Sequence, residues 1–129
     1  MLTQSDLSQF TGTLDKTRFG LCRWAIATEG VMHLAKEAKA YWLLDAIASY
    51  LPDARKGKHG DDFRWMSFWT LTKTGDTTAT LRGDDGNKNV KVTQEIEYTD
   101  IWQNFDGDQL VIWAQDDEQY VTLMLPSEY

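Results

Sequence analysis

The sequence predicts an α+β domain: an antiparallel meander of about five strands, packed against an N-terminal helical region. Three observations predict it. Apolar residues recur at helical spacing in the first half, as Val31, Leu34, Ala35 and Ala38. From residue 63 onward, short apolar or alternating runs are divided by turn signals: "TGD" at 74–76, "DDGN" at 84–87 and "FDGD" at 105–108. The length of 129 residues fits one domain, 1–129, and six Trp, five Tyr and five Phe supply large pieces for its core.

The elements follow in order. Thr3 is placed to cap a short first helix, with Asp6 three residues on and Leu7 and Phe10 on one face. "TGT" at 11–13 breaks it. Residues 18–28, "RFGLCRWAIAT", read as an additional sixth strand. A helical region then runs from Glu29 to about Leu51, as one bent helix or two meeting near Lys39, and Pro52 ends it. Residues 53–62 are polar and glycine-containing, and read as a loop.

The strands begin with "FRWMSFWTLTK" (63–73), apolar on both faces as a central strand is. "TTATLRG" (77–83) pairs back, and "DDGN" turns the chain through positive φ. In "VKVTQEIEY" (90–98), alternation points Val90, Val92, Ile96 and Tyr98 inward. "QLVIWAQ" (109–115) and "YVTLML" (120–125) form the last hairpin across "DDE".

Within the helical run, "YWLLDAIASY" (41–50) carries Asp45 among apolar residues. At about 100° per residue, Leu43, Leu44, Ile47 and Leu51 gather opposite Asp45, and Ser49 lies near it. Asp45 is thus expected at a solvent edge or in a structural hydrogen bond. A buried carboxylate would need a partner, and Arg18, Arg23 and Arg64 are the candidates.

Net charge is −7 and unevenly placed. Residues 1–74 carry eight acids and ten bases; residues 75–129 carry twelve acids and only Arg82, Lys88 and Lys91 as bases. That balance opposes direct nucleic-acid binding. Cys22 is the only cysteine, which excludes an intrachain disulfide, and it is expected as a small apolar residue. The N-terminus lacks the pattern of a signal peptide, and no run approaches the roughly 20 apolar residues of a membrane span. A cytoplasmic protein with no membrane contact is expected.

Most motifs that carry chemistry are absent: no Walker loop, dinucleotide glycine pattern, GxSxG or HExxH. No cofactor is therefore expected. "DDGNKN" offers Asp85, Asn87 and Asn89, and "NFDGDQ" offers Asn104, Asp106 and Asp108, but neither continues as a calcium loop, so no metal site is expected. His59 sits in a basic loop and reads as solvated. His33 reads as a surface or interface histidine.

The acids instead gather in expected turns. Asp84 and Asp85, Asp106 and Asp108, and Asp116, Asp117 and Glu118 form an acidic ridge, with Glu95 and Glu97 outward on a strand. Alternate turns of a meander share an end, so the 84–85 and 116–118 groups are expected at one edge. Such a row imitates phosphates and fits an Arg/Lys groove. Trp102 and Phe105 lie in a loop, where aromatics serve as binding anchors. The candidate partner-binding residues are therefore Asp84, Asp85, Trp102, Phe105, Asp106, Asp108, Asp116, Asp117 and Glu118.

The ordered series "FTGT" (10–13), "TEGV" (28–31), "YWLLDAIAS" (41–49), "DGN" (85–87), "YTD" (98–100) and "LPSEY" (125–129) resembles a small family of uncharacterised bacterial and mobile-element proteins, a domain of unknown function. The resemblance implies a compact α+β domain and brings no activity or catalytic residues. The family pattern places Phe and Pro after "YTD", where this chain has Ile101 and Trp102, so that loop is where it departs.

Three readings follow. The first is a non-enzymatic accessory protein that binds a protein of basic surface, in its sharper form a phage or mobile-element inhibitor of a host defence complex, anti-CRISPR-like. The second is a small enzyme using Asp45, His33, Asp100 and Glu128, which requires folding to bring them into one cleft. The third is a homo-oligomeric module that associates through its Trp-rich strand and its two-sided apolar helix. The first is adopted.

Overall fold

The computed structural model describes residues 1–11, 16–19 and 23–129, with the side chain of Arg18 outside that description. The expectations for Cys22, for the middle of the 18–28 strand and for most of the "TGT" break lie outside the described residues.

The chain opens with β1 (Leu2–Thr3) and α1 (Gln4–Leu7). The capping box is formed: Asp6 N donates to Thr3 Oγ1 (3.2 Å) and Thr3 N donates to Asp6 Oδ2 (3.0 Å). Two strands follow, β2 (Lys16–Arg18) and β3 (Ala25–Thr28), where a single strand was expected.

The helical region is three helices. α2 (Glu29–Glu37) ends where Lys39 takes a positive φ of 55°, and α3 (Tyr41–Ala48) starts anew beyond it. The break near Lys39 is thus real. Pro52 does not terminate the region. It lies in the first turn of α4 (Leu51–Arg55), where its missing N–H costs nothing because first-turn donors have no intrahelical acceptor. The expected loop is shorter than 53–62, and α5 (Asp61–Trp65) takes Phe63 and Trp65 out of the expected strand.

The remaining elements are β4 (Met66–Gly75), β5 (Thr78–Asp84), β6 (Val90–Ile96), α6 (Ile101–Asn104), β7 (Phe105–Asp106), β8 (Gln109–Asp116) and β9 (Val121–Met124), then a 3₁₀ turn at Pro126–Glu128. β1 and β7 pair in parallel as a separate two-stranded ribbon. The other strands form a seven-stranded sheet in the order β2-β3-β9-β8-β4-β5-β6. It is antiparallel throughout except for the β3–β9 pair. The α+β class and the antiparallel sheet stand as expected.

The strand order departs from a simple meander. β4, β5 and β6 follow one, but β8 pairs with β4, on the side away from β5. Residues 97–108 make the crossing over the sheet end, held by Thr99 N donating to Thr77 O (2.8 Å) and Trp102 Nε1 donating to Thr78 O (3.0 Å). β4 is central, as its two-sided apolar pattern suggests.

The register puts Ser67, Trp69 and Leu71 of β4 on one face with Leu81 and Gly83 of β5 and Leu110, Ile112 and Ala114 of β8. Helices cover this face. Trp69 is fully buried: Tyr50 stacks on it at 5.6 Å, Phe63 meets it edge-on at 5.7 Å, and its Nε1 donates to Ser67 Oγ (2.8 Å). The sheet makes room by placing Gly83 beneath the indole, where a Cβ would stand 2.8 Å from the ring. The opposite face is partly uncovered and carries Phe68 and Trp113 edge-to-face at 5.1 Å, with Tyr129 against Trp113 at 5.4 Å.

β6 corrects another expectation. Val90 is 52% exposed and Tyr98 73% exposed, although alternation pointed both inward. The β5–β6 register slips at its start: Gly83 pairs with Val92, but Asp84 pairs with Val90. The resulting bulge breaks the period of two and turns Val90 out. Tyr98 lies beyond the strand end. Among the described residues, no helix is long and apolar enough to cross a membrane.

Candidate interaction surface

The turns at 84–89 and 116–120 share one end of the sheet, because Asp84 pairs across Phe68 with Trp113 and Met66 pairs with Gln115. The acids there are nonetheless used internally. Asp116 is buried and receives both Arg55 Nε and an Arg55 terminal nitrogen at 2.9 Å, plus Glu118 N at 2.8 Å. Asp117 Oδ1 accepts from Gln119 N and Tyr120 N, and Asp84 Oδ1 accepts from Gly86 N. These are Asx-type turns, in which a short side chain satisfies the backbone.

Asp85 is the strongest case. It is buried, and Oδ1 accepts from Asn87 N (2.9 Å) and Asn89 N (3.3 Å) while Oδ2 accepts from Asn89 Nδ2 (3.1 Å). The Asn87 N–H, then the Asn89 donors and Lys91, hold its carboxyl below the usual range against the opposing effect of burial. A lowered folded pKa contributes stability above the unfolded value, about 3.9, and loses it as pH falls through the folded value. Asp85→Asn is therefore expected to lower the melting temperature at pH 7, with the gap to wild type closing below about pH 4. A gap unchanged from pH 7 to about pH 2.5 would contradict this.

The loop aromatics turn inward. Trp102 is 7% exposed and Phe105 1% exposed, because α6 and β7 fold the crossing segment back over the core. Ile101 is also fully buried. The expectation that Asp85, Asp116, Trp102 and Phe105 present their side chains to a partner thus fails on burial. Asp84, Asp106, Asp108, Asp117 and Glu118 keep at least partial exposure.

The opposite end of the sheet is different. It gathers the 75–78 turn, residues 97–100 and the 105–108 turn, with Lys73 N donating to Asp108 O (2.8 Å). Its acids are Asp76, Glu97, Asp100, Asp106 and Asp108, and none of their carboxylates has a side-chain ion pair or hydrogen bond among the described residues. None of these three segments contains a Lys or Arg, and Lys73 lies in β4 just before the first of them. Tyr98 stands among them, 73% exposed. Sequence reasoning missed Asp76 and Tyr98. The signal for them is the crossing of 97–108, which brings these segments to one end.

The four residues of the enzyme reading are not brought together. Asp45 is exposed on α3, its expected solvent edge. Glu128 is buried beneath the start of α2, where Thr28 Oγ1 (2.5 Å), Gly30 N (3.2 Å) and Leu125 N (2.9 Å) donate to it. Asp100 precedes α6 and accepts through its backbone oxygen from Asn104 Nδ2. Of the four, only His33 lines the polar cleft of about 620 Å³ formed with Asp6, Glu37, Gln103 and Asn104. Among the described residues, no three His, Cys, Asp or Glu side chains are grouped to hold a metal ion.

No curated protein matches the chain. A crystal structure of a protein of unknown function from Enterococcus faecalis has a similar fold: TM-score 0.57 and 21% identity, over 87% of this chain and 95% of that one. At that identity the likeness bears on the fold alone. The family model described as "Family of unknown function (DUF6876)" matches residues 1–129, and the chain belongs to that family.

Proposed function

We propose that this is a non-enzymatic accessory protein that acts by binding a protein partner of basic surface. The observation that carries this reading is the exposed Tyr98 set among the unpaired carboxylates of Asp76, Glu97, Asp100, Asp106 and Asp108. Tyr supplies a large anchor with few rotatable bonds, and unpaired acids steer a cationic partner and fix its orientation. In its sharper form the partner is a host defence complex, and the acidic edge occupies a groove that otherwise takes nucleic-acid phosphates, in the manner of an anti-CRISPR.

The test is capture of partners on the immobilised protein from a lysate of the cell that carries its gene. A partner is expected that binds in about 0.05 M salt and elutes by about 0.5 M, as charge-led contacts do. A partner held equally at both salt concentrations, or no specific partner, would overturn the reading.

A further inference from the structure

We infer that the protein forms a two-fold dimer through the outer edge of β6. β6 ends the sheet, and among the described residues no strand pairs with its outer side. An edge of unpaired N–H and C=O groups is a template for another strand. No Pro or Gly interrupts Val90–Ile96, four of its seven residues are β-branched, and its bulge is confined to Val90 and Lys91. Lys91 and Glu95 leave it with no net charge.

The charge order selects the occupant. Lys88 and Lys91 precede Glu95 and Glu97 along the strand. Parallel pairing of two copies in register would set like charges together. Antiparallel pairing about Thr93 sets Lys91 opposite Glu95 of the second copy, twice by symmetry, with Val92 opposite Gln94; Val90, turned out by the bulge, lies outside this register. Lys91 and Glu95 are both exposed. Glu95 already accepts from Thr80 Oγ1 at 3.0 Å, and a carboxylate has further lone pairs for Lys91. The fitting partner is a second copy of this chain, independently of the acidic edge.

Sedimentation of the wild type is expected to give twice the 14.8 kDa chain mass. Lys91→Glu is expected to weaken the dimer about tenfold or more, and Lys91→Glu with Glu95→Lys to restore it. In a Cys22→Ser background, Thr93→Cys treated with oxidised glutathione is expected to form a disulfide-linked dimer with release of two reduced glutathiones, since the two copies of residue 93 meet on the symmetry axis. A wild-type monomer up to about 1 mM overturns the proposal. So does a dimer indifferent to Lys91→Glu, one that the double swap fails to restore, or a Thr93→Cys variant that stays uncrosslinked. β6 amides protected from hydrogen exchange only when a different protein is bound would assign the edge to that protein, and overturn it as well.

Discussion

Arg55→Ala is expected to lower the unfolding free energy by about 3 kcal/mol, the scale for stripping one partner from a buried ion pair. The Asp116 side chain is 1% exposed and that of Arg55 22%, so the carboxylate stays in the interior when the cation goes. Arg55 holds it through two hydrogen bonds of 2.9 Å, donates to Glu118 O at 3.1 Å, and lies 4.1 Å over the Trp24 ring. The truncation therefore orphans a buried charge and uncovers an aromatic face. Arg55→Lys keeps the charge but loses the planar fork, and is expected to recover only part of the loss. Urea unfolding checks both. A change below about 0.5 kcal/mol for Arg55→Ala would mean that the pair is open in solution.

Glu128→Ala is expected to cost a similar amount, about 3 kcal/mol, because three buried donors lose their acceptor at once. Thr28 Oγ1 both donates to Glu128 and accepts from Val31 N at 3.3 Å, so the carboxylate extends the cap of α2 and places a negative charge at its N-terminus. The packing permits this only with glycine at 30, where a Cβ would stand 2.7 Å from Glu128 Oε1 and 2.8 Å from Leu125 Cδ1. Gly30→Ala is accordingly expected to cost about 1–3 kcal/mol by overpacking. Thermal and urea unfolding of both variants is the check. Wild-type stability in Glu128→Ala would contradict the buried cap. The segments "TEGV" and "LPSEY", far apart in sequence, meet here.

What was legible in the sequence was local. The Thr3 capping box, the break near Lys39, the turn at "DDGN" and the solvent edge at Asp45 each depend on a few neighbouring residues, and each stands in the structure. What was not legible depends on distant partners. Nothing near Asp116 names Arg55, which lies 61 positions away. The acids of the 84–89 and 116–120 turns looked like a free ridge because a carboxylate that caps its own turn has the same sequence signature as one left for a partner. Phe63 and Trp65 extend an apolar run, and such a run does not separate a short helix from a strand. The crossing at 97–108 decides both that Trp102 and Phe105 turn inward and that the unpaired acids collect at the other end of the sheet.

Binding of a partner at that second end is measured by reversing charge at each end separately and determining the affinity for the captured partner. Asp106→Lys with Asp108→Lys is expected to weaken binding about tenfold or more, and Asp117→Lys with Glu118→Lys to leave it within about twofold. Equal losses at both ends, or loss only with the 117–118 pair, would contradict the assignment.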